Sequence, residues 1–194
     1  MTQAPELPLE PEARERILAS AYTLFSRRGI RAVGIDDVVS DAAVAKATLY
    51  RHFVSKDDLV LAFMERREQL WTKEWVEAEA RKRGDTADEQ LLAIFDLFDE
   101  WFHRDDFEGC SFINILLELN GEDGEVRSAS ADHLASIREI LRTLAEEGGF
   151  REPDAFAHSW HILMKGSIVA AGEGDRDAAR RAKAMGRLLI DQYR

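Results

Sequence analysis

Apolar residues recur at helical spacing along almost the whole chain, and nowhere do they alternate as a half-buried strand requires. Ile17, Ala21, Leu24 and Phe25 fall at i, i+4, i+7 and i+8, and Leu91, Phe95, Phe98 and Phe102 at i, i+4, i+7 and i+11. Leu134, Ile137, Leu141 and Leu144 repeat the pattern, as do Ala182, Met185, Gly186 and Leu189. With 45% hydrophobic residues the chain has enough apolar side chain for a core. The predicted fold class is therefore all-α, with about nine helices.

Punctuation residues divide these helices. Met1–Glu10, with Pro5 and Pro8, reads as a flexible arm, and Pro11 suits the first turn of a helix. Arg27 and Arg28 sit at the negative end of that helix and Gly29 stops it. A second helix carries Ile35, Val38, Val39 and Ala42, and a short third one ends at Phe53. Ser55-Lys56-Asp57-Asp58 resembles a capping box opening a long helix with Leu59, Phe63 and Leu70 on its inner side. Arg81-Lys82-Arg83-Gly84-Asp85 closes it. Further breaks are expected at Gly109, at the turn Gly121-Glu122-Asp123-Gly124, at Gly148-Gly149 and at Gly172-Glu173-Gly174. Pro153 opens one late helix, and Asp175 or Asp177 caps the last. The expected organisation is an arm at 1–10, one domain at 11–71 and a second at 81–194.

Charge is uneven between the two parts. The chain carries a formal net charge of -11, but residues 1–56 hold eight Lys/Arg and seven Asp/Glu, leaving residues 57–194 with eighteen and thirty. Only the first part can approach a polyanion without strong repulsion. Cys110 is the single cysteine, which excludes an intrachain disulfide and fits a reducing cytoplasm. Met1–Glu10 lacks a signal peptide's apolar core, and no window approaches the ~18 apolar residues that span a bilayer. A cytoplasmic protein without membrane contact is expected.

Residues 34–53, GIDDVVSDAAVAKATLYRHF, fit two short helices joined by a tight turn. In a helix-turn-helix the second of these lies in the major groove of double-stranded DNA while the first crosses the backbone. Lys46, near the start of the second helix, can reach guanine O6 or N7. Ala47 and Ala45 are small enough to let the helix sink into the groove. Thr48, Tyr50, Arg51 and His52 offer donors to phosphate oxygens, and Lys56 adds charge at the start of the next helix. Leu49 and Phe53 point inward.

TLYRHF followed by SK, after a helix ending Asp-Ala-Ala-Val, resembles the TetR family of bacterial repressors over about residues 11–71. The resemblance implies nine helices, a homodimer, a C-terminal domain that binds a small-molecule effector, and repression of a nearby operon. It also implies that Thr48, Tyr50, His52 and Lys56 contact phosphate and that Lys46 reads a base. Two positions depart from the family. Ala43 stands at a turn position where Gly is usual, so a left-handed conformation there costs roughly 1 kcal/mol. Gly34 replaces a capping Ser or Thr.

The second part is expected to hold the effector in an aromatic-rich interior lined by Phe95, Phe98, Trp101, Phe102, Phe112, Trp160 and Met164. Asn114, His133 and His161 would be its polar points. Leu163, Ser167, Ala171, Ala182, Met185, Gly186 and Leu189 are the expected dimer interface, where small residues let helices approach and pair into a four-helix bundle. Two recognition helices would then meet half-sites roughly 34 Å or more apart, on a palindromic operator. No nucleophile–base pair and no phosphate-cradling Gly loop is present, so an enzyme is not expected. Histidines 133, 158 and 161 lack a second ligand pair, so no metal or cofactor is expected either.

Overall fold

The computed structural model describes residues 12–120 and 124–194. The expected arm at 1–10, Pro11 and the Gly121-Glu122-Asp123 portion of the expected turn lie outside them. The described residues form nine helices and no strand. They are α1 Ala13–Arg28, α2 Ile35–Asp41, α3 Lys46–His52, α4, α5 Ala87–Phe102, α6 Ser111–Glu118, α7 Glu125–Glu147, α8 Pro153–Gly172 and α9 Ala178–Tyr193. Helix α4 runs through three consecutive segments: Lys56–Arg67, a π-helical stretch Glu68–Glu77, and Ala78–Arg83. Two compact units divide inside it, the first ending at Phe63 and the second starting at Met64. None of the described helices is long and apolar enough to cross a membrane.

In the first unit, Ile17, Ala21 and Phe25 of α1, Val38 of α2 and Leu49 of α3 are buried together with Phe53, Leu59 and Phe63. Phe63 meets Tyr22 and Phe25 edge-on, each at 5.6 Å between ring centroids. Edge-to-face pairs of this kind add to the area they bury. Helix ends are made locally. The Gly29 N–H closes α1 on the Phe25 carbonyl, and the Gly34 N–H at the head of α2 donates to Asp37 Oδ2 at 2.7 Å. At the head of α4 the Asp58 N–H donates to Ser55 Oγ, while Asp58 Oδ2 accepts from the Val54 N–H. The cap thus reaches one residue further back than the reciprocal box expected from Ser55 to Asp58.

The second unit is built on α5. Thr86 and Glu89 form a full capping box at its start, and Leu91, Phe95, Phe98 and Phe102 are all buried. Facing it, the π-helical stretch of α4 brings in Trp71 and Trp75, which pack with Phe98 and Trp101 at 5.4–6.5 Å between centroids. This stretch corrects the reading of α4. In an uninterrupted α-helix Leu70, two turns after Phe63, would point inward. The i→i+5 bonding that begins at Glu68 advances the chain less per residue, so the buried stripe slips to Trp71 and Thr72. Leu70 is left 45% exposed. Ion pairs fasten the end of α4, Arg83 to Glu100 and Arg81 to Glu147.

Helices α8 and α9 pack on each other and on α5. Gly186 of α9 makes this possible: a Cβ there would stand 2.8 Å from Trp160 Cη2 and 3.3 Å from Phe95 Cε2. The buried stripe of α9 is Ala178, Ala179, Ala182, Gly186 and Ile190. Met185, expected on that stripe, faces outward.

Candidate functional site

Helix α3 is only two turns long, and its orientation about its own axis is fixed by Leu49 and by Phe53 just beyond its end, both fully buried. Everything not on that face is available. Lys46, Ala47, Tyr50, Arg51 and His52 are exposed, and Thr48 and Lys56 are half-buried. Lys46, Ala47, Tyr50 and Arg51 follow the i, i+1, i+4, i+5 pattern of one helical face, so four of the expected DNA contacts share a single ridge. Thr48 Oγ1 accepts a long hydrogen bond from Arg51 at 3.5 Å.

The turn before α3 takes the strained form expected for it. Ala43 has φ 50°, a left-handed conformation that glycine adopts more cheaply, and Ala45 enters α3 in an extended conformation without a side-chain cap. The contact that the sequence did not reveal is Asp36. Its Oδ1 lies 2.8 Å from Lys46 Nζ, and its hydrogen bond and charge raise the lysine's pKa. Both side chains are well exposed, so the pair contributes little to stability. The carboxylate belongs to α2, ten residues back, and nothing in the periodicity of α3 announces it.

The residues expected to line an effector pocket are in the interior of the second unit. Phe95, Phe98, Trp101, Phe102, Phe112, Trp160, His161 and Met164 are buried, and Phe98 packs against Phe95, Trp101 and Phe102. Asn114 is exposed and its side chain turns back to the Glu108 carbonyl. His133 stacks on Phe112 and is hydrogen-bonded to Glu68 Oε2 at 2.7 Å, so it is held from the π-helical stretch. Six buried polar atoms among the described residues of this unit make no hydrogen bond: Trp71 Nε1, Thr72 Oγ1, Asp99 Oδ1, Ser111 Oγ, Trp160 Nε1 and His161 Nδ1. Buried polar groups are normally paired with protein, with ordered water or with a ligand. Cys110 is also buried, and burial pushes its thiol pKa up, against the Ile113 N–H and the charges of Arg67 and Lys165. A protonated thiol is a poor nucleophile.

The residues expected at a dimer interface separate into two groups. Ser167, Ala171, Ala182 and Gly186 are buried inside the protomer, where their small size serves the packing of α8 and α9. Leu163, Met185 and Leu189 remain partly or fully accessible and line a surface groove with Ser159, Ile162, Leu188 and Gln192. Ile162 is 64% exposed and Leu188 71%. Sequence periodicity alone did not single out Ile162 or Val169, although their outward positions on α8 follow from the burial of Trp160, Met164 and Ile168.

Two helices joined by a tight turn, with the second presenting a polar ridge over a buried base, define a helix-turn-helix DNA-binding unit. Comparison with known proteins assigns it. A family model for bacterial regulatory proteins of the tetR family matches residues 17–63, and one for tetracyclin repressor-like C-terminal domains matches residues 87–185. The chain belongs to the TetR family of transcriptional regulators. It is 23% identical over 162 residues to the HTH-type transcriptional repressor NemR of Escherichia coli, covering 84% of this chain and 80% of that one. It is 25% identical over 164 residues to an uncharacterized HTH-type regulator of Lactococcus lactis, covering 80% and 81% of the two chains. Among solved structures, a TetR-family regulator from Streptomyces coelicolor superposes with a TM-score of 0.85 at 28% identity, covering 94% of this chain and 96% of that one.

Proposed function

We propose that this regulator is a ligand-responsive repressor that binds a palindromic operator as a homodimer in the cytoplasm and is released by a small, largely apolar effector. The observation behind the DNA-binding part is the single exposed ridge of Lys46, Ala47, Tyr50 and Arg51, flanked by Thr48, His52 and Lys56. Lys46 reads a base edge, the alanine allows close approach, and the others position the helix on phosphates.

Homodimerisation is supported by the accessible apolar residues of α8 and α9, chiefly Ile162, Met185 and Leu188. Pairing them across a two-fold axis removes apolar surface from water and presents two copies of α3 to one duplex. The effector reading is supported by the unpaired polar atoms set in an aromatic interior. Repression is favoured because the repressor NemR matches along four-fifths of its length. The activator FasR of Mycolicibacterium smegmatis matches over only 28% of this chain.

The mechanism is a population shift. One arrangement of the dimer sets the two α3 helices at groove spacing, and the effector binds another arrangement more tightly, weakening DNA binding by the same coupling factor. Helix α4 belongs to both units and transmits the change. Gel-shift titration of the DNA flanking the protein's own gene tests this, with a thermal-shift screen supplying candidate effectors. A ligand that binds tightly yet leaves operator affinity constant at saturation sinks the release mechanism.

A further inference from the structure

Many cations of the second unit are held by carboxylates: Arg67 by Glu108, Arg83 by Glu100, Arg142 by Glu139 and Glu146, Lys183 by Asp96. Among the described residues, no carboxylate pairs with Arg138 or Lys165, and both are half-buried. Arg138, on α7, donates only to the Leu134 carbonyl of its own helix, at 3.2 Å. Lys165, on α8, stands one turn after His161, so the two share a face of that helix. Helix α7 packs directly against α8.

His161 itself is 2% exposed, and its Nδ1 has no hydrogen-bond partner. Burial, then Lys165, Arg138 and His158 in turn, hold its pKa down to about 3. The two permanently charged side chains that act on this imidazole, Lys165 and Arg138, are both cations, in a unit where acidic side chains outnumber basic ones. The charge of Lys165 also acts weakly on Cys110, whose neighbour Ser111 has a buried hydroxyl without a partner among the described residues. Half-buried cations gathered without a counter-charge lower stability unless an anion offsets them.

We propose that Arg138, Lys165 and His161 together bind the carboxylate of an organic-acid effector. The inference rests on the effector reading above and narrows it from an apolar molecule to an apolar acid. The division of labour follows from the side chains. The planar Arg138 guanidinium fits both oxygens of a carboxylate, Lys165 supplies a point charge, and neutral His161 has one N–H to give.

Calorimetric titration of the full chain with hexanoate and phenylacetate, against the neutral hexanamide and phenylacetamide, tests it. The acids are expected to bind at least tenfold more tightly than their amides. In the gel shift they should release the operator at concentrations where the amides do not. R138M and K165M should each weaken acid binding at least tenfold, and K165R should recover most of that loss. Melting of each variant without ligand checks its folding, and R138Q, which keeps a polar side chain at this half-buried position, replaces R138M should that variant not fold. Amides binding as tightly as acids would overturn the carboxylate assignment while leaving an apolar effector standing. So would folded variants that keep wild-type affinity for the acids. If none of the four molecules binds, the assignment also falls, and the wider thermal-shift screen still decides whether any effector exists.

Discussion

The two units keep their candidate functional side chains in opposite places. In the first unit they stand outside the core: Leu49 and Phe53 fix α3, and Lys46, Ala47, Tyr50 and Arg51 project from it with no part in the packing. In the second unit the candidates are part of the core, with Phe95, Phe98, Phe112 and Trp160 all buried. A surface of the first kind can change what it recognises at little cost in stability. An interior of the second kind cannot, because each side chain that would touch an effector also holds helices together. Recognition and folding are separable in one unit and coupled in the other.

The largest effect that tests this contrast comes from the accessible face of α8 and α9. Leu188→Glu places a charge on a 71% exposed residue, so the protomer's own folding stability should change by no more than about 0.5 kcal/mol. The dimer should dissociate, and operator affinity should fall on the order of 100-fold as the second half-site contact is lost. Sedimentation would expose the error if the variant remained dimeric. Next, Gly186→Val forces atoms into Trp160 and Phe95, costing about 1–3 kcal/mol by overpacking. Thermal unfolding should show that loss, and a variant as stable as the parent would mean that α9 shifts freely.

Tyr50→Ala should weaken binding to every operator by roughly tenfold and leave melting unchanged. Lys46→Ala should instead relax preference at one base position. Selection from a randomised operator separates the two, and unaltered preference after Lys46→Ala would reduce that lysine to a phosphate contact. A pH effect belongs to the interior alone. Folded His161 stays neutral down to about pH 3, whereas the unfolded chain takes up its proton near 6.5. Its contribution is therefore fully present above 6.5 and is lost as pH falls toward 3, by up to about 1.4 kcal/mol per pH unit. His161→Asn should flatten the acid side of the stability curve, and an unchanged slope would show that other groups set it. The smallest effect is a gain: Ala43→Gly should relieve the left-handed turn and stabilise the first unit by roughly 1 kcal/mol.

The same contrast explains what was legible in the sequence. The phase of α3 was readable because Leu49 and Phe53 are one turn apart and the strained residue is in the adjoining turn, so every determinant lies within about ten residues. Leu70 was misplaced because a π-helical stretch changes the phase of α4 without leaving a mark on apolar periodicity. Gly186 and Ala182 were expected at a dimer interface, but a small residue does not say which neighbour approaches, and at Gly186 Trp160 of the same protomer takes the space. The cationic surroundings of His161 were illegible for a related reason. Arg138 and Lys165 lie 27 positions apart and both act on His161 only because α7 and α8 are neighbours.

The ion pair between Asp36 and Lys46 has a consequence for how such a protein searches a genome. A lysine that already holds a carboxylate gains little by exchanging it for an anonymous stretch of phosphate, and the released carboxylate is then repelled by that same backbone. Only a base edge offering two acceptors compensates for the swap. With Lys46 reading a base as proposed, the acidic side chain would act as a weak brake on indiscriminate attachment, easing movement along random sequence until the correct letters are met.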